Sequence, residues 1–471
     1  MNDFQLSPEV DKNKIFLIKY SELEGRWDPA YNLALIKNKI PTVYPKHKIG
    51  QISKSISGGT PSKANLDYWV GDIPWISPKD MKDFYLIDSI DHISEQAVEK
   101  SSTNIVPKET VLLVVRSGIL QHTIPISIAT REMAINQDIK ALIFNDSVLP
   151  VYAAYFINVY QSKLLPLIVK HSTTVQSINT EQFDSLLIPI PPKEIQAQIV
   201  VKMDTAYAAK KQKEAEAQRL LDSIDDYLLG ELGIELPEQE ENTVQSRIFI
   251  RQFSEVSGGR LDAIYYSSDL NKLLKGQYKS SKIKDIAARI ISGVGAGRQD
   301  QAGIDEGIIQ IRPTNIDVNG SLKYDRNIFL PSDQQSEKID IDDVLFNNTN
   351  SQVLVGKTSI LKESKELYFS NHITKITVGR LKVLPDYLVC ILNLYQRHKV
   401  FYFICTNWNN QSGIGLDLLK SLRIPLPSLE KQTEIANHIA GIRTQAKKLQ
   451  QQAKADLEQA KKEVEAMILG D

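Results

Sequence analysis

Cysteine is scarce in this chain: Cys390 and Cys405 are the two among 471 residues. Two cysteines in a chain this long exclude a disulfide scaffold and a cysteine-based metal framework. Both lie in apolar or aromatic stretches, which predicts small buried hydrophobic side chains. Such usage fits a reducing compartment, so we expect a cytoplasmic protein.

An excess of either charge is also missing. Lysine and arginine total 56 and aspartate and glutamate total 57, which leaves a formal net charge of −1. A free-standing DNA binder usually carries a basic surplus, because contacts with phosphates release counterions. The balance therefore excludes nucleic-acid binding, or requires clustered basic residues, or implies a partner that supplies the phosphate contacts.

Long hydrophobic runs and targeting signals are absent too. No window approaches 18 uncharged apolar residues, so we expect no membrane-spanning helix. Residues 1–10 are polar and lack the basic-then-apolar pattern of a secretory signal.

The patterns that usually mark catalytic or metal sites are incomplete. Residues 28–31 (Asp-Pro-Ala-Tyr) lack the second proline of the amino-methyltransferase motif. Gly356-Lys357-Thr358 has Ser351 where a phosphate-binding loop needs glycine, and the glycines at 293, 295 and 297 have no mononucleotide-binding context. The seven histidines show no metal-ligand spacing, so we predict no metal site and no catalysis in this chain.

The chain does contain one internal repeat, at an offset of 234–236 residues. Residues 148–161 and 383–396 are identical at seven of fourteen positions. Asn136 with Lys140 matches Asn371 with Lys375, and Ile188-Pro189 matches Ile424-Pro425. The matches are collinear, so the repeat predicts two copies of one module, although shared core positions alone do not establish a function.

Each half ends in a long helical pattern. Apolar residues from Ile435 to Met467 recur every three or four positions, and a similar seam extends over about 193–232. The remainder of each half mixes buried strands, at 111–115 and 139–144, and an alternating, half-buried strand at 373–378 with short helices that begin at Pro150 and Pro385. Two seams of similar length are best buried against each other as an antiparallel pair.

Several motifs resemble those of type I restriction–modification specificity subunits. They are Ser57-Gly58-Gly59-Thr60-Pro61-Ser62 with Trp69, Gly71, residues 73–76 and Asp80-Met81; residues 343–346 with Gly356-Lys357; and the proline-rich segments 188–191 and 424–427. The resemblance covers nearly the whole chain. The second half departs from the opening motif, with Ser292-Gly293-Val294-Gly295 and with Gln310 where the first half has Trp75.

The resemblance implies an α+β fold, with two pseudo-symmetric mixed α/β target-recognition domains separated by two long antiparallel coiled-coil helices. The expected segments are target-recognition domain 1 (1–192), a central conserved spacer helix (193–236), target-recognition domain 2 (237–427) and a C-terminal conserved spacer helix (428–471).

The resemblance also implies partners and a division of labour. The chain would read a bipartite double-stranded DNA site and scaffold two modification subunits. Those subunits would methylate adenines with S-adenosylmethionine, and restriction subunits would use ATP and Mg. The alternatives are a coiled-coil interaction scaffold unrelated to DNA, or a stand-alone DNA methyltransferase.

Base contacts require polar side chains on exposed loops, chiefly arginine or lysine for guanine and asparagine or glutamine for adenine. The candidates in the first half are Ser57, Gly58, Gly59, Thr60, Ser62, Lys63, Arg116, Ser117, His171, Thr173 and Gln176. Those in the second half are Arg298, Gln299, Arg312, Thr314, Asn315, Asn347, Asn348, Asn350, Asn409, Gln411 and Ser412. Each of these loops could equally be an ordinary solvated turn.

Overall fold

A computed structural model describes residues 6–7, 9–11, 14–18, 29–170, 175–236, 243–244, 248, 250, 252–253, 276–333, 337–409 and 411–470. The chain divides into two compact units. Unit 1 comprises Met1–Lys213 with Gln451–Asp471, and unit 2 comprises Glu214–Gln450. Each of the two longest helices contributes residues to both units.

Unit 1 mixes short strands with helices. Its helices are α1 (Pro29–Lys37), α2 (Ile49–Ile52), α3 (Glu95–Lys100), α4 (Pro150–Ile168), α5 (Thr180–Asp184) and the first part of α6 (Lys193–Leu232). Its strands are β1 (Lys46–Lys48), β2 (Ser53–Ser57), β3 (Ile73–Ile76), β4 (Tyr85–Leu86), β5 (Asp91–Ile93), β6 (Asn104–Val106), β7 (Val111–Val114), β8 (Ile126–Ala129), β9 (Met133–Ile135), β10 (Ile139–Phe144), β11 (Val169–Lys170), β12 (Ser177–Ile178) and β13 (Leu187–Pro189). Single 3₁₀ turns lie at Leu66–Trp69 and Gly118–Gln121.

Two sheets organise this unit. One has the strand order β2-β10-β7-β8-β4 and the other β5-β3-β9-β6. In the second sheet β3 and β9 run parallel, with Trp75 opposite Ala134. The strands β7 and β10 are buried on both faces, because α4 packs on one side and residues of the other sheet on the other. β7 is apolar throughout, and the one charged residue of β10, Lys140, pairs with Asp184 at 2.8 Å.

Unit 2 repeats this arrangement. Its strands are β14 (Ser280–Lys282), β15 (Ala287–Ser292), β16 (Gly307–Ile311), β17 (Ile328–Pro331), β18 (Val344–Asn347), β19 (Thr349–Asn350), β20 (Thr358–Ile360), β21 (Tyr368–Phe369), β22 (Ile373–Val378), β23 (Thr406–Trp408), β24 (Gln411–Gly413) and β25 (Arg423–Pro425). Its helices are α7 (Ile283–Ile286), α8 (Pro385–Arg397), α9 (Val400–Ile404), α10 (Leu416–Ser421) and the first part of α11 (Leu429–Leu469), with 3₁₀ turns at Arg298–Asp300 and Pro313–Asn315.

The two main sheets of each unit correspond in all strands except β4 and β6 of unit 1. The order β15-β22-β18-β20 matches β2-β10-β7-β8, and β17-β16-β21 matches β5-β3-β9. The pair β16 and β21 is parallel, as is β3 with β9. The duplication predicted from the sequence is therefore confirmed at the level of topology.

One pairing inferred from the repeat is wrong by a single residue. Lys140 lies opposite Ser57, and the residue opposite the equivalent Ser292 is Thr374 rather than Lys375. The Asn and Lys residues that recur in the sequence lie one position away from the structural match. Between β10 and β22 the offset is thus 234, so Asn136 corresponds to Ser370.

The two long helices pair in antiparallel fashion. In unit 1, Ile199 and Met203 of α6 share a core with Leu457, Val464 and Ile468 of α11. In unit 2, Ile224 and Leu228 of α6 share a core with Ile435 and Ile439 of α11. Within unit 1, ion pairs join Lys202 to Glu463 and Lys213 to Asp456, so residue numbers rise along α6 as they fall along α11. Within unit 2, an ion pair joins Glu231 to Lys431. The helices predicted from the apolar periodicity are confirmed.

A buried glutamine near the start of each long helix fixes the junction with the unit. Gln196 accepts a hydrogen bond from the Leu149 amide at 2.8 Å, and its amide donates to the Pro191 and Ser147 carbonyls at 2.9 and 3.0 Å. Gln432 makes the same three bonds, to the Leu384 amide and to the Pro427 and Lys382 carbonyls, at 2.9, 3.0 and 3.1 Å. Both side chains are fully buried.

The remaining expectations about burial hold within the described residues. Cys390 and Cys405 are buried, and burial raises the pKa of the Cys390 thiol to about 11. None of the helices in the described part of the chain is long and apolar enough to cross a membrane.

Candidate nucleic-acid interface

The glycine pair that follows β2 packs its backbone directly against the end of β9. The Gly59 amide donates to the Ile135 carbonyl at 3.0 Å, and a Cβ on Gly58 would lie 1.9 Å from that carbonyl oxygen. The Trp75 indole donates to the Gly59 carbonyl at 3.1 Å. Glycine is needed here because two backbones approach more closely than a side chain allows.

The residues after the glycine pair face solvent. Thr60, Ser62 and Lys63 are exposed. The Thr60 hydroxyl donates to Oε1 of Gln137 at 2.5 Å, and Gln137 lies in the turn between β9 and β10. The predicted loop is therefore anchored at one end and presents polar side chains at the other.

The second predicted loop of unit 1 reaches the same turn. The Ser117 amide donates to the Gln176 carbonyl at 3.0 Å, and Arg116 forms a β-bridge with Ser177. The amide of Val115, which precedes Arg116, donates to the Asp138 carbonyl at 2.8 Å. Arg116 is exposed, whereas the Gln176 side chain is buried.

The turn at residues 136–138 thus joins the candidate loops of unit 1. The exposed Gln137 was not among the candidates from the sequence, although the flanking Asn136 was noticed as part of the repeat. Two of the predicted site residues, His171 and Thr173, lie outside the described residues.

The opening loop of unit 2 keeps the same frame despite its different residues. The Val294 amide donates to the Phe369 carbonyl at 3.2 Å, and a Cβ on Gly293 would lie 2.0 Å from that oxygen. The Gln310 side chain donates to the Val294 carbonyl at 2.9 Å, as Trp75 does to Gly59. Gln310 therefore takes over the hydrogen bond of the tryptophan.

A turn at residues 370–372 occupies the position of the unit 1 turn. Nδ2 of Asn348 donates to the Asn371 carbonyl at 3.1 Å, and the Asn348 amide donates to the His372 carbonyl at 3.0 Å. Partial burial, together with the nearby Arg312 guanidinium, lowers the pKa of His372 below its usual range. Asn371 itself is exposed.

The β23–β24 hairpin lies beside this turn. Ser412 pairs with both Asn407 and Asn350 in the sheet, and its hydroxyl donates to Oδ1 of Asn407 at 2.6 Å. The Ile414 amide donates to the Asn348 carbonyl at 2.8 Å. Asn409 and Gln411, at the end of the hairpin, are exposed.

Several candidate side chains of unit 2 are buried and belong to the supporting frame. Asn315 accepts from the Arg312 amide at 3.0 Å and donates to the Lys323 carbonyl at 2.9 Å. Asn347 donates to the Leu354 carbonyl at 3.3 Å. Asn315 and Asn347 are fully buried, and Asn348 and Ser412 nearly so, which leaves the exposed polar groups on the neighbouring turns.

The other candidates of unit 2 are at least partly accessible. Arg298 and Gln299 are exposed on the 3₁₀ turn Arg298–Asp300, and two residues after this turn the Ala302 amide donates to the Phe329 carbonyl of β17. Thr314 is exposed and Arg312 half-buried, at the turn Pro313–Asn315.

Lys357 supports the turn Pro313–Asn315 through hydrogen bonds to backbone carbonyls. Its ammonium group is buried and donates to the Pro313 carbonyl at 3.0 Å and to the Ile316 carbonyl. Burial lowers its pKa below the usual range. Gly356 has φ of +91° and packs against the Phe401 ring. Gly356 ends a turn and Thr358 begins β20, and the ammonium group of Lys357 between them holds the turn Pro313–Asn315, which leaves none for a phosphate.

Metal ligation finds no support in the described part of the chain. Among those residues there is no group of three or more histidine, cysteine, aspartate or glutamate side chains that could hold an ion. The Asp-Pro-Ala-Tyr segment begins at Asp28, which lies outside the described residues.

Comparison with known families matches both repeats. The model of the type I restriction modification DNA specificity domain matches residues 44–219 and 276–459. The two matched segments include the turns at 136–138 and 370–372, and together they cover most of the chain.

Curated relatives carry matching names. Over 157 residues, 33% of this chain, it is 38% identical to the type I restriction enzyme EcoR124I/EcoR124II specificity subunit of Escherichia coli, of which it covers 39%. Over 210 residues, 42% of this chain, it is 30% identical to the MjaIX specificity subunit of Methanocaldococcus jannaschii, of which it covers 46%. The matches thus span less than half the length of these relatives.

A solved structure shares the fold. A chain studied for complex assembly and conformational transition of the type I R-M system aligns with a TM-score of 0.53 at 12% identity, over 91% of this chain and 97% of that chain. At this identity the likeness concerns the fold alone.

Proposed function

Because the chain belongs to the family of type I restriction modification DNA specificity domains, we propose that it is the specificity subunit of such a system. Each unit reads one half of a bipartite DNA site. Reading requires side chains that reach base edges, and it leaves the chemistry to other subunits.

The observation that carries this proposal is the matched pair of turns. In each unit, a turn between two strands is held by the glycine-containing opening loop and presents an exposed carboxamide, Gln137 or Asn371. Candidate loops gather around both turns. Two copies of one frame with different surface residues suit a target made of two different half-sites.

The partners follow from the same proposal. Two modification subunits bind the chain, supply S-adenosylmethionine and transfer methyl groups, and restriction subunits supply ATP- and Mg-dependent steps. The chain itself binds no cofactor and catalyses no reaction. The buried Lys357, which is bonded to backbone carbonyls, supports this for the one segment that resembles a phosphate loop. The cytoplasmic location stays a prediction.

The neutral net charge supports a shared interface. With 56 basic and 57 acidic residues, the chain alone has little long-range attraction for the phosphate backbone. We expect weak DNA binding by the purified chain and tight, sequence-specific binding once modification subunits are present. Tight sequence-specific binding by the chain alone would contradict this division.

The decisive experiment is a genome-wide map of methylated adenines in the native cells, with and without the gene for this chain. We expect one bipartite methylated motif to disappear when the gene is removed. Exchanging residues 44–192 for the matching segment of a relative should then change one half of the motif only. If no methylated motif depends on the gene, the chain is not a specificity subunit, and the interaction-scaffold alternative gains support.

We also propose that the long helices set the distance between half-sites. The 40 residues of α6 span about 60 Å at 1.5 Å per residue. With both units on one face of the duplex, we expect half-site centres about one helical turn of DNA apart, near 10 base pairs.

Deleting residues 210–216 from α6 and 450–456 from α11 removes one heptad from each helix. Each helix loses about 10 Å, which should shorten the preferred spacing by about three base pairs. An unchanged spacing would show that the helices do not act as the ruler.

A further inference from the structure

We propose that Gln137 and Asn371 are equivalent adenine-reading side chains, one for each half-site. This inference rests on the proposed function and deepens it, because it assigns the base class and the residue in each unit. It was not accessible from the repeat in the sequence, which pairs Asn371 with Asn136 rather than with Gln137.

The equivalence comes from the backbone. Ile135 and Phe369 each accept a hydrogen bond from the second residue of the opening loop, at 3.0 Å from Gly59 and at 3.2 Å from Val294. Gln137 and Asn371 each lie two residues after those carbonyls.

The contacts of the two side chains agree with this match. Gln137 contacts Thr60, the residue after Gly59. The carboxamide of Asn371 lies over Gly295, the residue after Val294, and its nitrogen would be 3.6 Å from a Cβ built there.

Burial separates these two side chains from three carboxamides of the supporting frame. Asn315, Asn347 and Asn348 are buried and bonded to the backbone, so their polar groups hold the frame. Gln137 and Asn371 are exposed at the point where the candidate loops meet. A position that is exposed, polar and equivalent in both copies is where a reading function can diverge without disturbing the core.

The chemistry of the carboxamide selects adenine. Its oxygen can accept from N6–H and its nitrogen can donate to N7 in the major groove, a pair of bonds that other bases do not offer. In unit 1 the Thr60 hydroxyl donates to Oε1 of Gln137, and Nε2 of Gln137 donates to Oδ2 of Asp138 at 3.4 Å, which orients the amide. The oxygen keeps a second lone pair and the nitrogen a second N–H for the base. In unit 2 Gly295 leaves room beside the shorter asparagine.

The test is a selection from a pool of DNA duplexes with a randomised central segment. The tagged full-length chain is purified from its native cells with its bound subunits, as wild type and as the variants Gln137→Ala and Asn371→Ala. Sequencing the bound fraction gives the base preference at each position of both half-sites. Gln96→Ala and Asn319→Ala, exposed carboxamides elsewhere on units 1 and 2, are the matched controls.

We expect each alanine variant to relax the preference for one adenine, in one half-site, by about 5- to 150-fold, the range that a bidentate pair supplies. The other half-site and the control variants keep the wild-type preferences. Gln137→Glu and Asn371→Asp should shift the same position toward cytosine, because a carboxylate accepts from N4–H.

The outcomes separate this inference from the proposed function. If the wild type enriches no sequence, the proposed function fails and this inference fails with it. If the wild type enriches a bipartite site but both alanine variants select the same site as the wild type, the proposed function stands and this inference is overturned. A general loss of affinity with unchanged preferences in both half-sites would overturn it as well.

Discussion

The buried glutamine at the start of each long helix provides a test of the duplication that does not involve DNA. Replacing Gln196 with methionine keeps most of the side-chain volume and removes three hydrogen bonds, and Gln432→Met does the same in unit 2. The corresponding distances differ by only 0.1 Å. The two variants should therefore lower the stability of their own units by similar amounts.

The magnitude follows from the bonds lost. Each intramolecular hydrogen bond contributes about 1 kcal/mol net, so three contribute about 3 kcal/mol. The amides of Leu149 and Leu384 lose their side-chain acceptor in a partly buried setting, which adds about 1 kcal/mol. We expect a loss of about 4 kcal/mol for each variant, with the two values within about 1 kcal/mol of each other.

The assay is amide hydrogen exchange as a function of urea, followed in peptides from α4 and α8, because units that unfold separately invalidate a single global transition. Gln196→Met should weaken protection in α4 and leave α8 unchanged, and Gln432→Met should do the reverse. The exposed Gln198 and Asn437 are the sites for control substitutions to methionine. A loss below about 1 kcal/mol in either unit would refute the assignment of these glutamines as the junction between helix and unit.

Three further predictions concern the candidate interface. Gly58→Ala should destabilise unit 1 by about 1–3 kcal/mol, because the added Cβ would lie 1.9 Å from the Ile135 oxygen, whereas Gly118→Ala, with no heavy atom within 4 Å, should have little effect on thermal unfolding. Lys357→Met should raise amide exchange in the turn Pro313–Asn315 about tenfold and should weaken base preferences only in the half-site that unit 2 reads. Unchanged exchange would show that the ammonium group does not hold the turn. The folded-state pKa of His372 lies below its unfolded value of about 6.5, so its contribution to stability is present above pH 6.5 and is lost as pH falls toward the lowered pKa. His372→Gln should remove that part of the pH dependence, and a curve identical to that of the wild type in urea unfolding at several pH values would contradict this.

The long helices could be predicted well from the sequence, because their periodicity is local. The apolar seam predicts a helix over about 193–232, and α6 covers Lys193–Leu232. Pro150 and Pro385 each begin a helix, as expected for a residue that needs no amide donor in the first turn. The residue-by-residue equivalence of β10 and β22 could not be predicted in the same way. It depends on how each strand pairs with β2 or β15, which leaves no local signal, and the Asn and Lys residues repeated one position away suggested the wrong match.

The candidate site shows a second limit. Thr60 and Gln137 are 77 residues apart, so no motif contains both. Polarity also predicted several base contacts without indicating burial: Asn348 is as polar in sequence as Asn371, yet it is buried and donates to the Asn371 backbone. Which asparagine supports the surface and which one forms it depends on the sheet that brings them together.

Trp75 and Gln310 show why the two units can differ at the surface while keeping one frame. Both side chains are buried, and both donate one hydrogen bond to the same carbonyl position of the opening loop. The loop therefore depends on one buried donor rather than on a particular residue. A frame held by backbone carbonyls and one interchangeable donor tolerates replacement of the residues on its exposed side. On the proposed function, this is the property that lets one duplicated fold read two unlike half-sites.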